Sequence, residues 1–432
     1  MKTQFVQRRH ELAAAIKFGI AVIPTAAERI RNKDAHFPYR FDSYFHYLTG
    51  FNEPDSVVVV IGGKPSRSIL FCRAKHEERE IWDGFRYGPE EAKTQFNFDD
   101  TFAIDEIDKI LPQLIENKDA IFTPIGIESN WDNKMMGWLN KTRSRAREGI
   151  TAPASLIDVR EILDEMRLIK DPDELNIMRR AAKISAEAHV NAMLATKPEK
   201  YEYEIEAELL YHFKKKGSQF PAYTSIVAGG KNACVLHYIE NNAVLNDGDL
   251  LLIDAGCELD GYASDITRTF PVSGKFSGPQ KIIYELVLDA QQAAMEATSR
   301  GNSWQAPHDA ATKVLAQGFI DLKLCHGSLD KVLENREYSR YYMHRTGHWL
   351  GRDVHDVGNY KDDGQWRSLE PGMVLTIEPG CYIRSAPDIP EQFWNIGIRI
   401  EDDAIVNQDS GCEIITSGVP KTINDIESLM SA

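Results

Sequence analysis

Two segments of this sequence, 124 residues apart, are similar to each other. Residues 245–256 read LNDGDLLLIDAG and residues 369–380 read LEPGMVLTIEPG, and the two segments align without a gap. Asp254 in the first copy falls on Glu378 in the second. Each copy is typical of a turn followed by a buried strand that ends in an acidic residue. Because such a repeat marks a duplicated structural unit, the sequence predicts a pseudo-symmetric domain with one acid at the end of each equivalent strand.

A second acidic residue follows each copy, Asp265 after the first and Glu401 after the second. Between the two aspartates, Asp260-Gly261 predicts a hairpin turn. A two-residue loop there places Asp254 opposite Thr267, with Asp265 diagonal on the same face, whereas a turn centred one residue earlier pairs the aspartates directly. Both registers bring two carboxylates onto one surface, where they repel each other unless they share a proton or a cation. The pair therefore predicts a metal site.

The four acids carry four negative charges, which two divalent ions would offset. Oxygen ligands with one imidazole favour Mn²⁺, and Co²⁺, Zn²⁺ and Fe²⁺ are alternatives. His344, His348 and His355 cluster in the sequence, and His237 precedes the first acidic strand. The spacing of His344 and His348 lacks the glutamate of the H-E-x-x-H zinc motif, and nearby glycines disfavour a helix. The clustering predicts that one of these histidines supplies the imidazole.

Composition and net charge exclude several classes of protein. The chain has 432 residues, 43% of them hydrophobic and 27% charged, which suits a folded protein of two or three domains. Its net charge of -15 disfavours nucleic acid and anionic membranes as partners. The six cysteines form no C-x-x-C pair, and no apolar run is long enough to cross a bilayer. We therefore expect reduced thiols and a cytoplasmic protein.

The chain has two parts of different character. Val57–Ile61 and Ser68–Cys72 predict a hairpin in a smaller α/β domain that shows no catalytic cluster. Asp171–Glu174 reads as a helix start, with an N-cap aspartate followed by proline. A boundary just before this helix gives domains at residues 1–168 and 169–432. Long helices alternate with strand-like runs in the second domain, which predicts an α+β fold with helices covering one face of a sheet.

Several motifs in the second domain occur in the order and spacing of a known family. They are Leu252–Cys257, Asp265–Phe270, His348–Gly351, Val354–Gly358, Glu378–Gly380 and Gly397–Asp402. With these motifs the sequence resembles the Xaa-Pro aminopeptidases, also called aminopeptidase P, within the pita-bread metallopeptidases. The resemblance covers nearly the whole chain, and it implies a C-terminal pita-bread domain behind a smaller N-terminal domain.

The resemblance also implies roles for individual residues. Asp265 and Glu401 would bridge two metal ions, and Arg399 would lie behind them. Trp82 matches a tryptophan that reaches a neighbouring subunit's active site, and Tyr382 matches a tyrosine near the site, although ordinary packing is an alternative for both. The implied metal ligands are Asp254, Asp265, His348, Glu378 and Glu401, and the implied supporting and substrate-contacting histidines are His237, His344 and His355.

The implied reaction is hydrolysis of the bond between an N-terminal residue and a penultimate proline by a metal-bridging hydroxide, with Glu378 moving the proton to the leaving nitrogen. The implied assembly is a homodimer or homotetramer whose N-terminal domain shapes substrate access. Prolidase, which cuts only dipeptides, is the nearest alternative. A metal-free pita-bread protein, either a binding module or a creatinase-like enzyme, is disfavoured because all five ligands are present. The Trp82 segment and His348–Gly351 favour the aminopeptidase.

One position departs from the family pattern. The link between His344 and His348 begins with Arg345, where the family version begins with glycine. Arginine does not readily adopt the positive φ angles that glycine allows. We therefore expect this departure to affect the placement of His344, whereas the ligand set does not depend on it.

Overall fold

A computed structural model describes residues 2–431. The chain divides into two compact units, one ending at Met166 and the other beginning at Arg167. The helices in the first part of the chain are α1 (Lys2–Ala15), α2 (Ser43–Thr49), α3 (Glu77–Asp83), α4 (Gly88–Phe96), α5 (Ile107–Ile115), α6 (Ser129–Arg143) and α7 (Arg160–Leu168). The strands there are β1 (Ile20–Pro24), β2 (Ile30–Asn32), β3 (Ala35–His36), β4 (Val57–Ile61), β5 (Arg67–Cys72), β6 (Asp100–Ala103), β7 (Ala120–Thr123) and β8 (Ser155–Asp158).

The N-terminal unit is built on a six-stranded mixed sheet with the order β6-β5-β4-β1-β7-β8. The predicted hairpin is confirmed, because β4 pairs with β5 in antiparallel register. All five residues of β4 are buried. Val58 and Val60 pack into one hydrophobic cluster, whereas Val57 and Val59 pack into another on the opposite face. Burial on both faces explains why this strand is continuously apolar instead of alternating.

The second part of the chain continues with six helices and thirteen strands within the described residues. The helices are α8 (Pro172–Ala195), α9 (Glu202–Lys215), α10 (Gly278–Ala297), α11 (Ala306–Asp321), α12 (Leu329–Glu334) and α13 (Ile423–Met430). The strands are β9 (Phe220–Pro221), β10 (Ile226–Gly229), β11 (Leu250–Asp254), β12 (Cys257–Leu259), β13 (Tyr262–Ala263), β14 (Thr267–Pro271), β15 (Lys361–Asp362), β16 (Gln365–Trp366), β17 (Val374–Ile377), β18 (Gly380–Ile383), β19 (Ile396–Arg399), β20 (Asp402–Val406) and β21 (Cys412–Ile414).

Helix α8 begins where the sequence predicts. The Asp171 side chain accepts hydrogen bonds from the backbone of Asp173 and Glu174, and the Glu174 carboxylate accepts one from the backbone of Asp171 at 2.9 Å. These bonds satisfy backbone donors that the first helical turn leaves unpaired. Pro172 occupies the first helical position, where its missing N–H costs nothing.

The sequence repeat corresponds to a structural repeat. In the first copy β11 pairs with β14, and in the second copy β17 pairs with β20. A hairpin intervenes in each copy, β12/β13 in the first and β18/β19 in the second. Asp260 and Gly261 form the two-residue turn with φ angles of 52° and 76°, and Asp254 pairs with Thr267. The first of the two predicted registers is therefore the one adopted.

Strand β11 separates the helical core from the functional face. Leu251 and Ile253 pack into the main hydrophobic core, which includes residues of α8, α10 and α11. Leu252 points to the opposite side and joins a smaller cluster. Side chains alternate along a strand, so Asp254 at its end shares the face of Leu252. The helices therefore cover one face of this sheet, and the acidic residue lies on the other.

Two chain-wide features complete the fold. All six cysteines are free thiols, and five of them are buried. Over residues 2–431, no helix combines the length and the apolar composition that crossing a membrane requires.

Candidate active site

The four repeat-associated acids meet between the two halves of the C-terminal unit. The backbone N–H of Glu401 donates to the carbonyl oxygen of Thr267 at 3.0 Å, which joins the second copy to the first. The Thr267 hydroxyl donates to the Glu401 carboxylate at 2.6 Å. Asp265 and Glu401 each place an oxygen, and His348 a nitrogen, within 4.8 Å of one another. Residues far apart in sequence thus form one group because the paired strands of both copies end at the same place.

His348 is oriented for binding a cation. Its Nδ1 donates to the carbonyl oxygen of Trp349 at 2.9 Å, which leaves Nε2 facing the acids. Nε2 lies 3.5 Å from Asp265 Oδ2 and 3.6 Å from Glu378 Oε1. Burial alone would lower the pKa of His348, but the hydrogen bond to Asp265 and the charge of Glu378 outweigh it and raise the pKa to about 9. The surroundings of this imidazole therefore favour a positive charge at Nε2.

The pKa values of three of the site acids are raised. Burial, followed by the charge of Asp254, raises the pKa of Asp265. Burial raises the pKa of Glu378 to about 7, even though His348 and Arg399 oppose the shift. Burial and the charge of Asp265 raise the pKa of Glu401 well above its ordinary value. Like charges held together in a low-dielectric site bind protons in this way unless a cation offsets them.

The donor set fits divalent cations. It combines carboxylate oxygens with one imidazole nitrogen whose orientation is fixed by a backbone hydrogen bond, the arrangement that metal-ligating histidines usually show. It also concentrates negative charge that only cations or protons can offset. The residues that could hold metal are the five that the sequence predicts, Asp254, Asp265, His348, Glu378 and Glu401.

Arg399 holds several site residues in place through hydrogen bonds. Its guanidinium donates to Asp254 Oδ2 at 2.6 Å, to the Thr267 hydroxyl at 3.0 Å and to the Tyr382 hydroxyl at 3.0 Å. The Tyr382 hydroxyl in turn bonds to His344 Nε2 at 2.9 Å. His344 Nδ1 donates to the carbonyl oxygen of Arg345, so in the neutral imidazole Nε2 accepts from the Tyr382 hydroxyl. Burial and the charge of Arg399 lower the pKa of His344 to about 3.

The remaining predicted histidines face the same cavity from different loops. The rings of His355 and His348 meet edge to face, with centroids 4.4 Å apart. Burial lowers the pKa of His355, so its neutral form is favoured. His237 is exposed on a loop that buried Glu202 holds in place, because the Glu202 carboxylate accepts four hydrogen bonds from that loop. The donors are the backbone N–H groups of Gly229 and Ala243 and the side chains of Asn232 and Tyr238.

A cavity of about 630 Å³ opens above this group. Nine predicted site residues line it: His237, Asp254, Asp265, His344, His348, His355, Glu378, Arg399 and Glu401. Trp304, Tyr360, Trp366 and Ile239 add apolar walls. The arrangement therefore combines a charged floor with apolar sides, as expected of a site for a small ligand with a charged end.

Two of the predicted site residues, Tyr382 and Trp82, do not line this cavity. Tyr382 is buried, and it reaches the site through its hydrogen bonds to Arg399 and His344. Trp82 belongs to α3 in the N-terminal unit, where its side chain is 84% exposed. Packing within its own unit therefore does not explain Trp82. Arg345 has no positive φ, so its position in the link requires no glycine-like conformation, contrary to our expectation.

Three polar residues at the site were not predicted as site residues from the sequence. The Tyr223 hydroxyl donates to Asp254 Oδ1 at 2.6 Å and also contacts Asp265. Asp403 is fully buried, and its Oδ2 accepts a hydrogen bond from the backbone of Asp265 at 3.0 Å. Thr267 bonds to Glu401 and Arg399 as described above. Thr267 could have been found from the sequence, because its pairing with Asp254 was predicted. Tyr223 could not, because its neighbours depend on the pairing of β10 with β11.

Comparisons with known proteins agree with this geometry. Residues 176–408 match metallopeptidase family M24, and residues 5–122 match the aminopeptidase P N-terminal domain. The Xaa-Pro aminopeptidase of Haemophilus influenzae is 44% identical over 432 residues, covering 100% of this chain and 97% of that protein. The Escherichia coli Xaa-Pro aminopeptidase is 41% identical over 434 residues, covering 100% of this chain and 98% of that protein.

A solved structure gives the same result. The Pseudomonas aeruginosa aminopeptidase PepP superposes with a TM-score of 0.98 at 48% identity, covering 100% of this chain and 98% of that chain. The predicted α+β class, with a C-terminal pita-bread domain and a smaller N-terminal domain, is confirmed. This chain therefore belongs to metallopeptidase family M24, in its Xaa-Pro aminopeptidase (aminopeptidase P) group, and it is a metal-dependent peptidase.

Proposed function

We propose that this enzyme removes the N-terminal residue from peptides whose second residue is proline. The observation that carries the proposal is a group of carboxylates and one oriented imidazole at the floor of a partly apolar cavity. Relatives matched over the whole chain are named Xaa-Pro aminopeptidases, which supports the choice of substrate. Peptides with a penultimate proline are therefore the proposed partners.

We propose that Asp254, Asp265, His348, Glu378 and Glu401 would hold two divalent ions, and that Asp265 and Glu401 would be ligands shared by both. Two such ions, when bound, polarise the scissile carbonyl and lower the pKa of a water molecule so that it can attack. Mn²⁺ is the proposed metal because hard oxygen ligands with one imidazole suit it, and Co²⁺, Zn²⁺ and Fe²⁺ are alternatives.

The chain's own residues would bind and orient the peptide. Carboxylate oxygens of the site suit the free ammonium group of the substrate, because they can accept its hydrogen bonds. His355 and His237 line the cavity on separate loops, where each can donate a hydrogen bond to the carbonyl oxygen as negative charge develops there. Glu378 lies 3.8 Å from His344 Nδ1 at the cavity edge, a position suited to carrying a proton to the leaving proline nitrogen.

The apolar walls suit proline. The bond before proline is a tertiary amide, so it has no N–H that the site would need to satisfy. Trp304, Tyr360 and Trp366 line the cavity with aromatic surface that can hold the ring. We infer that these walls select the residue after the scissile bond, whereas the carboxylates orient the residue before it.

The experiment compares two substrates on protein that is stripped with a chelator and then given Mn²⁺. We expect metal-dependent release of arginine from Arg-Pro-Pro, with little cleavage of Ala-Pro. Preferred cleavage of Ala-Pro would indicate a prolidase instead. Failure to cleave either substrate, together with an absence of bound metal, would favour a metal-free binding protein. His355→Ala is the matched variant, and it should keep both metals and lose rate.

We also propose a role for the N-terminal domain, which the sequence places at residues 1–168. Ile81, Trp82 and Phe85 are exposed by 82%, 84% and 58%. Adjacent large apolar side chains exposed to this extent commonly mark an interface. We propose that Trp82 contacts a neighbouring subunit in a cytoplasmic homodimer or homotetramer and shapes access to its site. Light scattering of Trp82→Ala tests this, since a mass equal to that of the wild type would contradict the proposal.

A further inference from the structure

Arg345 is a cation held at the wall of the cavity by neutral partners. Its guanidinium carbon lies 4.8 Å from the centroid of the Trp366 ring, and one of its nitrogens donates to Gln305 Oε1 at 2.7 Å. Arg345 and Trp366 both line the cavity. Stacking on one side and a hydrogen bond on another orient the guanidinium without neutralising it.

No carboxylate offsets this charge. Among residues 2–431, no acidic oxygen lies within 4.0 Å of the Arg345 guanidinium nitrogens. The other arginine that lines the cavity, Arg399, is buried and already donates to Asp254, Thr267 and Tyr382. Arginine has five N–H donors, so most of those on Arg345 can bind a ligand. Arg345 is therefore an exposed cation at the wall of the cavity.

Arg345 and the site acids line one cavity, which suits a short peptide with a charge at each end. Arg345 follows His344 directly, and His344 Nδ1 lies 3.8 Å from the Glu378 carboxylate. Carboxylate oxygens of the floor can accept hydrogen bonds from the ammonium end of the peptide. An extended chain advances by about 3.3–3.6 Å per residue, so the carboxylate of a tripeptide lies about 7 Å beyond its first peptide bond. Arg345 and the carboxylates of the floor line the same cavity, so a peptide with opposite charges at its two ends can contact both.

We propose that Arg345 binds the C-terminal carboxylate of Xaa-Pro-Xaa tripeptides and thereby makes this enzyme prefer them to peptides without a charge at that position. The inference rests on the proposed function and deepens it by naming the substrate class. A planar guanidinium can bind a carboxylate through two parallel hydrogen bonds, which a lysine ammonium cannot do.

The test compares Arg-Pro-Pro with its C-terminal amide on the metal-loaded enzyme. We expect the wild type to favour the free acid by about tenfold or more in kcat/KM, because a charge-assisted hydrogen bond is lost with the amide. In Arg345→Gln this ratio should fall to about one through a higher KM for the acid, with kcat for both substrates nearly unchanged. Arg345→Lys should give an intermediate ratio. In the wild type, raising the salt concentration should lower the ratio, since salt screens exposed charges.

Lys361→Ala is the matched control. The Lys361 ammonium lies 4.4 Å from the centroid of the same Trp366 ring, but Lys361 does not line the cavity. Its variant should keep the ratio of the wild type. An equal loss on acid and amide in Arg345→Gln would overturn the proposal, since it would show a packing role. An unchanged ratio in Arg345→Gln would overturn it as well. If the wild type cleaved neither peptide, the proposed function itself would fail, which is a different outcome from cleavage without discrimination.

Discussion

Replacing Asp265 with asparagine should stabilise the metal-free protein and abolish its response to metal. Asp265 is 4% exposed and lies within 4.8 Å of the nearest Glu401 oxygen. Two unit charges at about 4.8 Å repel by about 3.5 kcal/mol at an effective dielectric constant of about 20. Proton uptake by the buried acids and the attraction of Asp265 to His348 at 3.5 Å reduce this figure. Burial and the charge of Asp254 nevertheless raise the pKa of Asp265, so we expect metal-free Asp265→Asn to be about 1–3 kcal/mol more stable than the metal-free wild type.

With metal bound, the wild type should be more stable than Asp265→Asn. A ligand at one hundred times its Kd stabilises the folded state by about 2.7 kcal/mol. For a unit the size of this catalytic domain, 1 kcal/mol corresponds to about 2–4 °C in Tm, so the wild type should gain at least about 5 °C. The variant should gain almost nothing, because an amide cannot replace a carboxylate between two cations.

Thermal unfolding with chelator and with Mn²⁺ measures both effects, and metal analysis shows the ions bound. Asp260→Asn is the matched control, since Asp260 is an exposed aspartate in the turn of the same hairpin. It should behave as the wild type does in both conditions. The reasoning would be refuted if Asp265→Asn melted below the wild type in chelator or kept the full metal-induced shift.

Three further substitutions test other parts of the site and its support. Tyr223→Phe removes a hydroxyl that donates to a site aspartate at 2.6 Å; it should lower the stability of the chelated protein by about 1.5–3 kcal/mol in urea unfolding and leave metal content unchanged. Asp356→Asn leaves Lys170, whose side chain is 1% exposed, without its carboxylate partner, whereas Arg167 keeps Asp353 at 2.8 Å; the change should cost about 3–5 kcal/mol at pH 7. Burial opposes the shift, but the charges of Lys170 and Arg167 lower the pKa of Asp356. The stabilisation by ionised Asp356 is therefore present above the ordinary aspartate pKa of about 4 and is lost as the pH falls below it. Unfolding measured at pH 7 and at pH 3 should show this loss of stability in the wild type and not in Asp356→Asn. Glu202→Gln weakens the hydrogen bonds that hold the loop bearing His237, and it should raise KM several-fold. An unchanged KM in steady-state kinetics would contradict the role of Glu202 in positioning His237.

Local signals in the sequence were sufficient for several elements of the fold. The cap of α8 depends on residues within one helical turn, and the Asp260-Gly261 turn depends on two positive φ angles that these residues tolerate. Once that turn is known, the pairing of Asp254 with Thr267 follows from counting along the two strands. Such features involve short separations along the chain, so neighbouring residues determine them.

Contacts between distant segments required the tertiary structure. Tyr223 reaches Asp254 because β10 lies beside β11. Asp403 contacts Asp265 because the second copy of the repeat meets the first. The orientation of Arg345 depends on Trp366 and Gln305, which occupy separate segments. No local pattern specifies these contacts, since each one needs the packing of several elements at once.

The sequence by itself determined the repeat, the acid at the end of each equivalent strand and, through family resemblance, the set of residues at the cavity floor. The tertiary structure decided which groups surround those residues, which nitrogen of His348 faces the acids and where the guanidinium of Arg345 is held. The physical reason is that strand register follows from the period of the backbone, whereas charge neutralisation and side-chain orientation depend on groups that only the packed fold brings within hydrogen-bonding distance.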